Sequence, residues 1–143
     1  PASHFKRYEE KARSALEETG LARAAAVPAL SLPHGDKRKL ELAILLAQDP
    51  NLLLLDEPSS GLAGELVPEF MSLVDRIRRS GNKTVVLVEH NMNIVMSLSD
   101  RISVMHQGQL LAEGAPAEIA ADPVVQKAYL GELYGDFNEM TSH

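Results

Sequence analysis

Asn51-Leu52-Leu53-Leu54-Leu55-Asp56-Glu57-Pro58 is an apolar run that ends in two adjacent carboxylates and a proline. Four consecutive leucines predict a strand buried on both faces, as in a parallel sheet covered by helices. Asp56 and Glu57 then stand at the carboxyl end of that strand, where open α/β sheets bind their ligands. Taken alone, the segment also fits a core strand closed by a polar turn. Two further stretches, one on either side, decide between these readings.

Upstream, Leu32-Pro33-His34-Gly35-Asp36-Lys37-Arg38-Lys39-Leu40-Glu41-Leu42-Ala43 leads into a helix that ends near Asp49-Pro50. Downstream, Thr84-Val85-Val86-Leu87-Val88-Glu89-His90 is a second buried strand with a histidine at its carboxyl end. His90 lies 33 residues beyond Glu57, and Asp56 lies 21 residues beyond Gly35. This order and spacing resembles the ATP-hydrolysing subunits of ABC transporters. Leu32–Asp36 stands where that family has its Leu-Ser-Gly-Gly-Gln signature loop, Leu52–Glu57 matches its Walker B strand, and His90 matches its switch histidine. Gly-Asp-Lys-Arg-x-Leu-Glu-Leu and the ending Pro116-Ala117-Glu118-Ile119 through Tyr129-Leu130-Gly131 resemble the importer subfamily for branched-chain amino acids and urea. The resemblance spans about residues 10–131.

Composition agrees with this without selecting it. A chain of 143 residues, 45% apolar and 24% charged, is ordinary for one globular unit with a core. No stretch approaches the roughly 18 uninterrupted apolar residues of a membrane span. The absence of cysteine excludes disulfides and thiolate metal sites. A net charge of −6 argues against a nucleic-acid surface; the dense basic clusters are Lys37-Arg38-Lys39 and Arg76, Arg78, Arg79.

Alternating elements follow one another without a low-complexity linker or an internal repeat. A helix is expected from His4 to about Glu18, with Phe5, Tyr8, Ala12, Ala15 and Leu16 near one face and Gly20 as its C-cap. Further helices are expected at about 35–47, 65–79 and 91–98, and strands at 51–56, 84–88, 101–105 and 110–113. The helix at 65–79 carries Leu66, Phe70, Leu73, Val74 and Ile77 on one stripe. Two short helices close the fold, with Asp122-Pro123 as N-cap and first position of the second. Residues 1–50 read as part of a helical subdomain with the signature helix, 51–131 as core, and 132–143 as a tail.

The resemblance implies a partial P-loop NTPase fold of the α/β class and assigns roles to particular residues. ATP hydrolysis needs Mg²⁺ on phosphate oxygens, an oriented water and neutralisation of developing charge. Asp56 is the metal ligand, acting through a bound water, and Glu57 is the general base. His90 contacts the terminal phosphate. Leu32, Pro33, His34, Gly35 and Asp36 would reach the nucleotide held by a second subunit, using a helix N-terminus. Pro33, His34 and Asp36 depart from the family's serine, glycine and glutamine. Ser59, Ser60, Gly61 and Leu62 match the family's D-loop at the dimer interface, with Ala63 in place of its aspartate. Glu89 reads as a solvated charge at a strand end.

No Gly-x-x-x-x-Gly-Lys-Ser/Thr occurs in the chain. The expectation is therefore the carboxyl-terminal part of a larger subunit, inactive alone. The whole subunit would bind ATP and Mg²⁺ and couple hydrolysis to import of branched-chain amino acids or a related small solute. Its partners would be a second ATPase subunit and transmembrane permease subunits, with no nucleic acid and no membrane insertion of its own. Its place would be cytoplasmic, at the inner face of the cell membrane. A non-catalytic partner-binding module and a DNA-repair or chromosome-type ATPase are the alternatives. In this family the phosphate-loop strand lies between the strands matching 84–88 and 101–105. Without it, those two must pair directly or find a strand in another chain, and the second outcome, a dimer or larger assembly, is favoured.

Overall fold

The computed structural model describes residues 2–129. They fall into two compact units, one ending at His90 and one starting at Asn91.

In the first unit, α1 (Ala2–Glu18) lies against α2 (His34–Ala47). Gly20, at φ 77°, ends α1 in the left-handed conformation that glycine adopts most cheaply. Thr19 is buried after it, and its hydroxyl donates to the Ala15 carbonyl at 2.9 Å, so no polar group is stranded. The apolar face expected on α1 holds only at its end. Ala15 is buried, whereas Phe5 and Tyr8 are exposed. Two single-turn 3₁₀ segments, Ala22–Ala24 and Ala29–Ser31, lie between α1 and α2.

A βαβ unit follows: β1 (Leu52–Asp56), α3 (Val67–Arg79) and β2 (Thr84–Val88). The two strands are parallel, with Leu52 opposite Thr84 and Asp56 opposite Val88. Phe70, Met71, Leu73, Val74 and Ile77 of α3, Leu42, Ala43 and Leu46 of α2, and Leu53 of β1 are all buried. Each of these side chains other than Ala43 contributes on the order of 1.5–3 kcal/mol relative to exposure. Lys83 ties the entrances of both strands together, donating to Asp49 Oδ1 at 3.0 Å and to the Pro50 carbonyl at 3.1 Å. That hydrogen bond holds the Asp49 carboxyl below its ordinary range.

Burial on both strand faces is not what the structure shows. Leu53 is 2% exposed, but Leu52 and Leu54 are 50% and 68% exposed, and Val86, opposite Leu54, and Val88, opposite Asp56, are exposed as well. Period-two alternation puts these four side chains on one face of the β1–β2 pair, and no described element covers it. The leucine run therefore reports a two-sided environment that the described residues fill on one side only.

In the second unit, Asn91 caps α4 (Met92–Leu98), its side-chain oxygen accepting from the amides of Asn93 and Ile94. Strands β3 (Ile102–His106) and β4 (Gln109–Gly114) form an antiparallel hairpin. Its two loop residues, Gln107 and Gly108, both have positive φ, as a type I′ turn requires. Next come α5 (Pro116–Ala121) and a helical segment over residues 123–129. Asp122 caps that segment, accepting from the Val124 amide at 2.7 Å. Ile102, Val104, Ile119 and Val125 make the small core.

Among the described residues, β2 pairs only with β1 and β3 only with β4. Direct pairing of 84–88 with 101–105 is not adopted. Residues 130–143, including the expected tail, lie outside the described residues.

Candidate active site

Asp56 is the last residue of β1 and is exposed, with no ion-pair or hydrogen-bond partner for its carboxylate among the described residues. Glu57 turns the chain sharply. It sits at φ 41°, a left-handed conformation that costs a non-glycine residue about 1–2 kcal/mol. Two backbone hydrogen bonds hold it there. Its N–H donates to the Val88 carbonyl at 2.8 Å, and its own carbonyl accepts from the Ser60 N–H at 2.9 Å. Parallel pairing thus carries one residue past β1 and brings the turn beside the end of β2. Glu57 Oε1 lies 3.4 Å from Nδ1 of His90, and both side chains are open to solvent, at 49% and 74%. Carboxylate and imidazole are brought together at the carboxyl ends of adjacent parallel strands.

Leu32 is buried, and Pro33, at ψ 156°, leads into α2 without a side-chain cap. His34, Gly35 and Asp36 form the first turn of that helix. A β-carbon on Gly35 would stand 2.9 Å from Cδ1 of Leu66, the tip of a side chain that would have to shift to admit it. Lys39 lies on the same face, 3.8 Å from Asp36 Oδ1, and donates to Glu69 Oε1 of α3 at 2.5 Å. Its hydrogen bond holds the Glu69 carboxyl below its ordinary range. The negative charge that Asp36 brings is thus met by a cation one turn away.

Ser59, Ser60, Gly61 and Leu62 form the turn after Pro58. Gly61 has φ 76°, and a β-carbon there would lie 3.6 Å from Nε2 of His34, so this loop runs alongside the start of α2. Arg38 donates from Nη1 to Glu41 at 2.8 Å and from Nη2 to the Ser60 carbonyl at 3.1 Å. Glu89 is not the solvated charge expected of it. It is half-buried, and its Oε1 accepts from both the amide and the hydroxyl of Ser59, at 3.1 and 2.5 Å. Partners 22 and 30 residues apart carry no signature in the sequence. The basic cluster was visible, but not the acceptors that fix it.

The hollows beside these residues are small. One, of about 150 Å³, is lined by Gly35, Asp36, Lys39 and Leu66, and another, of about 100 Å³, lies beside Asp56 and Pro58. Both are well below the 300–1,000 Å³ typical of small-molecule sites.

A family model described as "ABC transporter" matches residues 3–60, and one described as "Branched-chain amino acid ATP-binding cassette transporter" matches residues 109–134. An ATP-binding cassette of an ABC transporter in its ADP conformation has the same fold, with a TM-score of 0.76 and 29% identity over 87% of this chain and 50% of that one. Part of the cbiONQ transporter complex from Clostridium perfringens aligns with a TM-score of 0.75 and 26% identity, covering 96% of this chain and 55% of that one. With this fold and this pair of strand ends, the chain is similar to the ATPases of ABC transporters over most of its length.

Among these ATPases its similarity runs to subunits of branched-chain amino acid transport. It is 42% identical to the high-affinity branched-chain amino acid transport ATP-binding protein LivG of Escherichia coli K12, over 86% of this chain and 48% of LivG. It is 44% identical to BraF of Pseudomonas aeruginosa, which carries the same description, over 82% of this chain and 46% of BraF. The chain spans about half the length of the curated relatives it matches.

Proposed function

We propose that these residues form half of an ATPase subunit that couples ATP hydrolysis to import of branched-chain amino acids or a related small solute. The observation that carries this reading is the Glu57–His90 pair, 3.4 Å apart at the ends of β1 and β2, in a chain similar to these ATPases. Glu57 accepts the proton of the attacking water as general base. His90, with Nδ1 toward Glu57, has Nε2 free to donate to the terminal phosphate and hold it in line.

Asp56 fits a Mg²⁺ site, since Mg²⁺ takes few protein ligands and Asp56 offers an exposed carboxylate. Bound there, the ion would supply neutralisation of phosphate charge. Leu32, Pro33, His34, Gly35 and Asp36, with the amides at the start of α2, face the nucleotide of a second ATPase subunit. Ser60, Gly61 and Leu62 line the same dimer interface. Transmembrane permease subunits complete the assembly and place it at the cytoplasmic face of the membrane. The 143 residues by themselves, without a phosphate loop, do not turn over ATP.

The test is reconstitution of the complete subunit with its permease in lipid vesicles, followed by uptake of labelled leucine. ATP-dependent uptake is expected. An active ATPase that drives no uptake of any branched-chain amino acid would overturn the solute, and a complete subunit without Mg-ATP turnover would overturn the enzyme.

A further inference from the structure

The Ser59–Ser60 segment is held from two directions. From just past β2, Glu89 accepts both donors of Ser59, and from α2, Arg38 donates to the Ser60 carbonyl. The carboxylate is costly to place there: Glu89 Oε2 is buried without a hydrogen-bond partner among the described residues. Two charge-assisted hydrogen bonds from one serine offset that cost, and such bonds are roughly twice as strong as neutral ones.

Ser59 sits inside the turn closed by the Ser60 N–H to the Glu57 carbonyl. This turn keeps Glu57 at its left-handed φ of 41°. Glu89 is also the chain neighbour of His90. A single side chain therefore fixes the turn that aims Glu57 and adjoins the residue Glu57 faces. Position 63, where the resemblance places an aspartate, is alanine, and the acid that Ser59 bonds is Glu89, one residue past β2.

We propose that Glu89 is a positioning residue for the reaction. Through Ser59 it holds the Glu57 turn in the geometry that sets Glu57 against His90. This rests on the functional reading above. What the site requires of Glu89 is its accepting oxygen, so Glu89→Gln should keep the turn and Glu89→Ala should lose it.

Two measurements test this. In the 143-residue chain, amide hydrogen exchange at Ser59 should speed up by at least about tenfold in Glu89→Ala and stay near wild type in Glu89→Gln. In the complete subunit, Glu89→Ala should lower kcat about 10–100-fold with KM for Mg-ATP within about threefold, and Glu89→Gln should recover most of the loss. Should Glu89→Ala fail to fold, Ser59→Ala removes only the hydroxyl donor and should lower kcat in the same direction. Turnover of Glu89→Ala within about twofold of wild type, or Glu89→Gln as impaired as Glu89→Ala, overturns the proposal. Absence of turnover in the wild-type subunit overturns the functional reading instead, and the Ser59 exchange result tells the two failures apart.

Discussion

Nδ1 of His90 stands 3.4 Å from Oε1 of Glu57 across 33 residues of chain, because β1 and β2 are parallel neighbours in register from Leu52–Thr84 to Asp56–Val88. The pair is mounted on backbone rather than on long flexible side chains. Glu57 is one residue past the ladder, and His90 is two residues past it. Each stays close to the position its strand dictates, the kind of rigid mounting that precise chemistry needs.

In the complete subunit, Glu57→Gln retains size and hydrogen bonding but removes the base. Single-turnover hydrolysis should fall by about 10²–10⁴-fold while ATP still binds. His90→Ala should also slow turnover. A Glu57→Gln rate within a few-fold of wild type would refute the base assignment.

The 143-residue chain should show no saturable Mg-ATP binding below the millimolar range. The groups proposed to meet phosphate reduce to Asp56, His90 and one helix terminus, and the hollows beside Asp56 and that terminus hold about 100 and 150 Å³. Calorimetric titration checks this, and micromolar affinity would reveal a nucleotide site elsewhere in the chain.

Glu69 has its carboxyl held below the ordinary 4.5 by the hydrogen bond from Lys39. A depressed carboxylate stabilises the fold fully above its unfolded pKa, and that increment is lost as pH falls through the lower folded value. Glu69→Gln should therefore be less stable than wild type at neutral pH, by no more than about 1 kcal/mol for so exposed a partner. The difference should shrink to nothing as pH drops below about 4.5. Urea titrations of both proteins across that range measure it, and a gap that widened in acid would contradict the pairing.

Leu52, Leu54, Val86 and Val88 form an uncovered apolar face on a two-stranded sheet whose β2 edge has no described partner. Exposed apolar patches and open strand edges both promote association. The chain should run as a dimer or larger species in light scattering, and Leu54→Lys with Val86→Lys should shift it toward monomer. A monodisperse wild-type monomer with strong amide protection throughout 84–88 would exclude this.

The alternation of elements, the strand-end acids at 56 and 57, the histidine at 90 and the α3 stripe were all legible from residue order. Hydrophobic period and turn chemistry are local properties, and a strand's carboxyl end is set by where its apolar run stops. Their spacing was specific enough to identify the family. The partners of Arg38, Lys39 and Glu89 were not legible, because they lie 22 to 30 residues away and any exposed acceptor would satisfy the same donor. Nor was the positive φ of Glu57, which local preference opposes and only closure against Val88 and Ser60 sustains. The leucine run was read correctly as a strand and wrongly as covered on both faces. Four apolar residues in a row record the environment a strand evolved for, whereas exposure is decided by which elements fold against it. Sequence alone thus determined that Asp56, Glu57 and His90 stand at the carboxyl ends of two strands. Tertiary structure decided which of them meet, because pairing between distant segments depends on sheet register and packing that no local pattern encodes.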